Sequence, residues 1–190
     1  MAVLDNSNSG YIDPKTVSPR PAGMRWGAIL GLISVALTLL YMMLGIIDFS
    51  GQKSNMLSNI ISWAVMIGIF YFAFKQHRDE ELGGFISLGR CVSLGFWISL
   101  ISGFIGAVFI YVYFGFINPD FMANIMDVAV EQAESRGQDP EQVRQGMEMV
   151  GWMFSPGFFA AMGLIMSLIF GLVFSALVGL VVKKEAPRPF

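Results

Sequence analysis

The sequence predicts an all-α polytopic membrane protein, four transmembrane helices in a bundle with an extramembrane helical hairpin between helices 3 and 4. Three observations predict it. Apolar residues make up 55% of the 190-residue chain and charged residues only 14%, whereas a soluble domain carries about a quarter charged residues. Residues 26–47, 56–74, 91–117 and 156–182 contain no Asp, Glu, Lys, Arg or His and together make up half the chain. These stretches hold 22, 19, 27 and 27 residues, and a helix rising about 1.5 Å per residue needs about 20 to cross ~30 Å of hydrocarbon. None of the stretches alternates apolar with polar as a barrel strand would, and a helix satisfies every backbone polar group within the segment. This composition excludes a soluble enzyme, a disordered chain, a disulfide scaffold and a basic nucleic-acid binder.

Taken in order, residues 1–25 are polar, with Pro14, Pro19 and Pro21, and read as a flexible cytoplasmic tail. The first apolar run is too long for a signal-peptide core, so it is read as a retained span. The membrane domain covers residues 26–182. A short link at 48–55 turns the chain with Gly51, and span 2 follows. The link at 75–90 contains Gly83, Gly84 and Gly89, with Phe85, Ile86 and Leu88 expected to rest on the membrane surface. Spans 3 and 4 are longer than one crossing requires, so they are expected to tilt or to project into the headgroups.

Between them, residues 118–155 form an acidic outer segment. Asn118 is placed to cap a helix with Pro119 in its first turn. Phe121, Ile125, Val128, Ala129 and Gln132 follow at helical spacing. Gly137 ends that helix, and Asp139-Pro140-Glu141 starts a second, with Val143, Met147 and Val150 as its apolar stripe. The faces of the two helices are expected to meet each other or the membrane. Residues 183–190 form the second tail.

Orientation follows from the cations. Four spans put both termini on one side. Lys15, Arg20, Arg25, Lys75, Arg78, Arg90, Lys183, Lys184 and Arg188 share that side, against Lys53, Arg136 and Arg144 on the other. Basic residues stay cytoplasmic, which puts both termini and the 75–90 link on the cytoplasmic side. Trp26 and Trp152 fall at opposite interfaces, while Trp63 and Trp97 fall deeper and are expected to pack between helices.

The strongest pattern is a pair of small-residue ladders. Cys91, Gly95, Ser99, Gly103 and Ala107 recur every fourth residue in span 3. Gly163, Ser167, Gly171, Ser175 and Gly179 do the same in span 4, and Gly23, Gly27 and Gly31 form a shorter series at span 1. Residues four apart share a helix face, and small side chains let backbones approach closely. Lipid supplies no hydrophobic drive between helices, so close contact and hydroxyl hydrogen bonds must hold them. The ladders are therefore expected to be helix-packing faces or faces for a partner.

No Asp, Glu, Lys, Arg or His lies inside any span, and it is such groups that build proton relays, ion sites and voltage sensors. Ser34, Thr38, Ser58, Asn59 and Ser62 are polar enough to line a passive pore for small neutral solutes, but residues of these types mostly bond to their own helix. His77, Arg78, Asp79, Glu80 and Glu81 offer one imidazole beside three acids, too few ligands for a metal, and read as a solvated charge cluster. Cys91 alone forms no internal disulfide and reads as a small packing residue. Met122, Met126, Met147, Met149 and Met153 read as packing residues rather than a Cu(I) site. No Gly-x-Ser-x-Gly, Walker or His-Glu-x-x-His motif is present. The sequence therefore predicts no catalytic residue, no cofactor and no metal.

The run Phe74-Lys75, then Leu82-Gly83-Gly84-Phe85-Ile86-Ser87-Leu88-Gly89-Arg90, resembles an uncharacterised domain-of-unknown-function family of small four-helix bacterial inner-membrane proteins frequent in Bacteroidota. The opening Arg25-Trp26-Gly27-Ala28-Ile29-Leu30-Gly31 and the closing Gly179-Leu180-Val181-Val182-Lys183-Lys184 carry the same resemblance. It covers about residues 22–185 and implies four spans with a long third loop, in an accessory role. It implies no activity or catalytic residue.

The expected function is that of a non-catalytic scaffold or accessory subunit acting through helix–helix docking. The alternative is a transporter or pore for a small neutral or lipidic molecule. The expected partners are the lipid bilayer and another membrane protein or a second copy of this chain, with no nucleic acid.

Overall fold

The structure is a computed structural model that describes residues 16–46, 56–137, 139–149 and 151–185. Lys15, Lys53, Val150, Arg188 and the link at 48–55 lie outside the described residues. So do the side chains of Phe121, Met122, Ile125, Met126, Ala129 and Met147.

The described chain is helical. Its α-helices are α1 (Arg20–Met43), α2 (Met56–Gln76), α3 (Leu88–Val112), α4 (Phe121–Ser135), α5 (Pro140–Met149) and α6 (Pro156–Val182). A wide turn, His77–Glu81, continues α2, and another, Tyr113–Ile117, continues α3. A tight turn, Gly151–Phe154, leads into α6. Among the described residues the one sheet-like pairing is an antiparallel bridge between Ile86 and Lys184. α1, α2, α3 and α6, with the turns that extend them, are each long and apolar enough to cross a membrane. The chain is thus a multi-pass membrane protein by helix length and composition.

Local chemistry sets the helix ends. α1 starts at Arg20, six residues before the apolar stretch, with Pro21 in its first turn, where a missing N–H costs nothing. Ser87 caps α3 by accepting from the Arg90 amide at 3.3 Å, and Ser155 caps α6 by accepting from the Phe158 amide at 3.3 Å. Asn118 does not cap α4. The apolar run of α3 continues to Ile117, and the Asn118 amide closes the extending turn by donating to the Tyr113 carbonyl at 2.8 Å. α4 begins after Asp120, whose side chain makes no capping bond. Gly137, at φ +72°, ends α4 in the left-handed region that glycine tolerates best. Asp139 Oδ1 then accepts from the Glu141 amide at 3.0 Å as α5 opens.

α3 is the central helix. It packs along α6 on one side and along α1 on the other, and α2 lies mainly against α6 and α1. The core sits at the tail end of the molecule, where α1 and α3 begin and α2 and α6 finish. Phe70, Phe74, Leu82, Ile86, Leu94 and Ile98 are buried there. Ile86, expected on the membrane surface, is 1% exposed. Its amide donates to the Lys184 carbonyl at 2.9 Å, and it accepts from the Lys184 amide at 3.0 Å. That exchange draws its side chain under the end of α6.

Large apolar side chains face outward, among them Leu32, Phe72, Phe104 and Val181. Trp63 joins them. It is 54% exposed and touches Phe174 across a centroid distance of 6.4 Å, so it lies on the outside rather than between helices. In lipid an outward indole costs little, because acyl chains replace the helix neighbour. α4 and α5 contact each other, and α5 also meets the turn before α6.

Candidate functional site: small-residue seams and the polar cluster at the tail end

The two long ladders face each other. α3 and α6 run antiparallel, so the ladder ascends one helix as it descends the other. A Cβ added to Gly179 would fall 2.9 Å from Cys91 Cβ. One added to Gly95 would collide with Ser175, and one added to Gly171 with Ser99. One added to Gly103 would lie 2.8 Å from Ser167 Oγ. At each of these four rungs a glycine on one helix receives a serine or cysteine from the other. The glycine and its donor alternate sides from rung to rung. Volumes therefore match locally, and neither helix carries a continuous groove.

The fifth rung is looser. Ala107 is half-buried, and a Cβ on Gly163 would meet Ile110 at 3.2 Å. The structure thus brings Cys91, Gly95, Ser99, Gly103, Ser167, Gly171, Ser175 and Gly179 together, and leaves Ala107 and Gly163 at the edge of the seam.

The hydroxyls play a smaller part than close contact. Ser99 Oγ donates to the Gly95 carbonyl at 2.8 Å and Ser175 Oγ to the Leu172 carbonyl at 2.9 Å, each within its own helix. Ser167 Oγ crosses the seam to the Ser99 carbonyl at 3.2 Å. In the other helices, Thr38 bonds to the Ser34 carbonyl and Ser62 to the Ser58 carbonyl. Packing of backbone on small side chains, rather than a ladder of hydrogen bonds, carries this contact.

The short series on α1 faces another side of α3, in parallel. A Cβ on Gly23 would collide with Trp97. One on Gly27 would fall 2.7 Å from the Ile98 carbonyl, and one on Gly31 2.8 Å from Ile105. Each step of four on α1 is matched by a step of four on α3. α3 is therefore sandwiched between two seams of different kinds, small against small with α6 and glycine against bulky side chains with α1. Trp97 also carries the Arg20 guanidinium over its ring, 5.2 Å from the centroid, an arrangement the ring quadrupole favours.

At the tail end, the residues read as a solvated cluster divide. His77 is 1% exposed. The Arg90 Nε–H donates to His77 Nε2 at 3.3 Å. Arginine has no acceptor to offer, so Nε2 is the acceptor and the imidazole proton sits on Nδ1. That nitrogen lies 3.1 Å from Glu81 Oε2, at ion-pair distance but without hydrogen-bond alignment. The other arm of Arg90 donates to the Val17 carbonyl. Arg78 holds Asp79 through two bonds, 2.7 and 3.2 Å, and donates to the Val182 carbonyl at 3.0 Å.

Two arginines thus tie three separate parts of the chain: the approach to α1, the link after α2, and the end of α6. Sequence reasoning missed this. The signal available was the adjacent pair Gly83-Gly84, which lets the link fold back by taking φ +65° and +91°. Among the described residues, no group of three or more His, Cys, Asp or Glu is arranged to hold a metal ion.

No curated protein and no solved structure matches the chain. A family model does match, over residues 25–184, which takes in all four long helices, both seams and the tail-end cluster. The chain therefore belongs to DUF4199, a family of proteins of unknown function.

Proposed function

We propose that the chain is a non-catalytic scaffold or accessory subunit of the bacterial inner membrane, with both termini cytoplasmic. The observation that carries this reading is how the molecule divides its surfaces. The small-residue faces are taken up inside the chain, where they hold α1, α3 and α6 together. α4 and α5, which bear Asp127, Glu131, Glu134, Glu141 and Glu148, make their main contact with each other. A membrane-anchored pair of acidic helices is a surface offered to another protein. The uneven distribution of lysine and arginine supports the orientation, and it puts these helices on the outer side.

Helix–helix docking then has two levels. Within the chain it builds the body through the glycine seams. Between chains it would run through α4 and α5, with another membrane protein or a second copy.

The test is photo-crosslinking from exposed positions on α5, such as Glu141 and Arg144, followed by purification in mild detergent. A discrete adduct with one other membrane protein, or with a second copy, supports the scaffold. Recovery of the uncrosslinked chain alone from every position counts against it. Flux of a small neutral solute through proteoliposomes of the pure protein would favour the transporter reading instead.

A further inference from the structure

A groove of about 390 Å³ opens between the start of α1 and the end of α2, lined by Trp26, Phe72, Lys75, Gln76, Asp79 and Glu80. Its polar wall is organised by Gln76. The Gln76 carbonyl oxygen accepts from Arg25 at 2.9 Å and from the Trp26 indole at 3.1 Å, and its amide donates to Glu80 at 2.8 Å. One side chain therefore fixes a cation, an aromatic ring and a carboxylate around the opening.

The charges are ordered along the helix. Phe72 lies deepest, in the apolar stretch. Lys75 follows three residues later, and Arg25 of α1 reaches the next residue, Gln76. Asp79 and Glu80 come about one turn further out, ~6–7 Å along the axis. Lys75 makes no direct ion pair among the described residues. Asp79 is taken by Arg78, whereas Glu80 accepts only an amide and has no cation partner there.

We propose that this groove binds the headgroup of a phospholipid bearing a primary ammonium, a phosphoethanolamine head. A phosphodiester lies next to the acyl chains, and the ammonium stands two carbons further into water. The groove offers the same sequence: apolar Phe72 and Trp26, then cationic Lys75 at phosphate depth, with Arg25 held on the neighbouring Gln76, then the unpaired carboxylate of Glu80 at amine depth. A phosphoglycerol head would bring no cation to Glu80, and a trimethylated amine would bring no N–H donor. The inference requires the four helices to cross a bilayer, but not the scaffold role, and it holds for whichever leaflet faces the tail end.

The experiment is native mass spectrometry of the full chain in detergent. Equal amounts of phosphatidylethanolamine, phosphatidylcholine and phosphatidylglycerol with matched acyl chains are added together. The first lipid is expected to be retained about tenfold over the others, the effect of one charge-assisted hydrogen bond. Glu80→Gln should abolish that preference while leaving total lipid retention unchanged. Lys75→Gln should weaken retention of all three lipids. Asp120→Asn, an exposed carboxylate before α4, should change nothing, and circular dichroism should show the variants equally helical. Equal retention of the three lipids by the unsubstituted chain would overturn the proposal. So would a preference that survives Glu80→Gln, or no lipid retention at all.

Discussion

Gly171 and Ser99 show what one rung of the α3–α6 seam requires. A side-chain atom on Gly171 has no room, because Ser99 already occupies the space. Gly171→Ser is expected to destabilise the protein by about 1–3 kcal/mol, the range for an overpacked core, read as a lower denaturation midpoint in a detergent titration. The exchange Ser99→Gly/Gly171→Ser should recover most of the loss, since it moves the hydroxymethyl group across the seam without adding volume. The transplanted hydroxyl could still bond to a carbonyl one turn back on α6. A double variant no better than Gly171→Ser would show that the rung is not a matter of volume. Gly106, with nothing within 4 Å of an added Cβ, should accept alanine with no loss. A second residue-scale expectation concerns Arg90, whose planar fork serves His77 and the Val17 carbonyl at once. Lysine cannot span both. Arg90→Lys should leave the buried His77 Nε2 unpaired and cost about 1–3 kcal/mol, with faster amide exchange in residues 86–91 as the readout.

The helices differ in what holds them. α3 has a packed partner along two faces, whereas α4 and α5, of 15 and 10 residues, contact chiefly each other. Helices this short are marginal in water without tertiary support. Hydrogen exchange is therefore expected to be markedly faster in α4 and α5 than in α3 and α6, a ranking that mass-resolved exchange in detergent would check. It follows that the segment can be replaced with little effect on the rest. Substituting a flexible glycine–serine linker for residues 119–149 should leave the melting of the four long helices nearly unchanged and remove any crosslinked partner. Collapse of the long helices in that variant would mean that α4 and α5 belong to the structural core. α1 is different again, since its glycines face bulky side chains of α3. Gly27→Val would press on the Ile98 backbone, which has no flexible end to move aside, and is expected to detach α1 rather than be absorbed.

For the molecule as a whole, the apolar exterior and the unequal distribution of cations point to a definite arrangement in the bilayer. The lone cysteine, Cys91, is buried, so a Cys91→Ala background leaves the chain free for labelling. In that background, cysteines introduced at Glu131 and Lys183 should react with a membrane-impermeant maleimide from opposite sides of intact vesicles. Labelling of both from one side would remove the topology and the outward placement of α4 and α5 with it. The tail-end network would be expected to hold the three chain segments together on the cytoplasmic side, where Arg78 reaches Val182 and Arg90 reaches Val17.

Much of this was written in local sequence, and the reason is physical. Uncharged apolar runs of about 20 residues match the thickness of the hydrocarbon core, and a chain of 190 residues has too little else to bury four of them, so the four long helices could be read from composition and length alone. A small residue at every fourth position specifies a helix face, because the helical period does. It does not specify what that face meets. Only the tertiary structure paired Gly95 with Ser175 and Gly171 with Ser99, matched Gly27 to the Ile98 backbone, and turned Trp63 outward toward Phe174. His77 makes the same point from the polar side. Beside three acids it has the sequence context of a solvated residue, yet it is buried because Arg90, 13 positions later, folds back onto it. A helix face is a property of spacing. The choice of its partner depends on the fit of surfaces far apart in the chain, and that fit exists only once the helices are assembled.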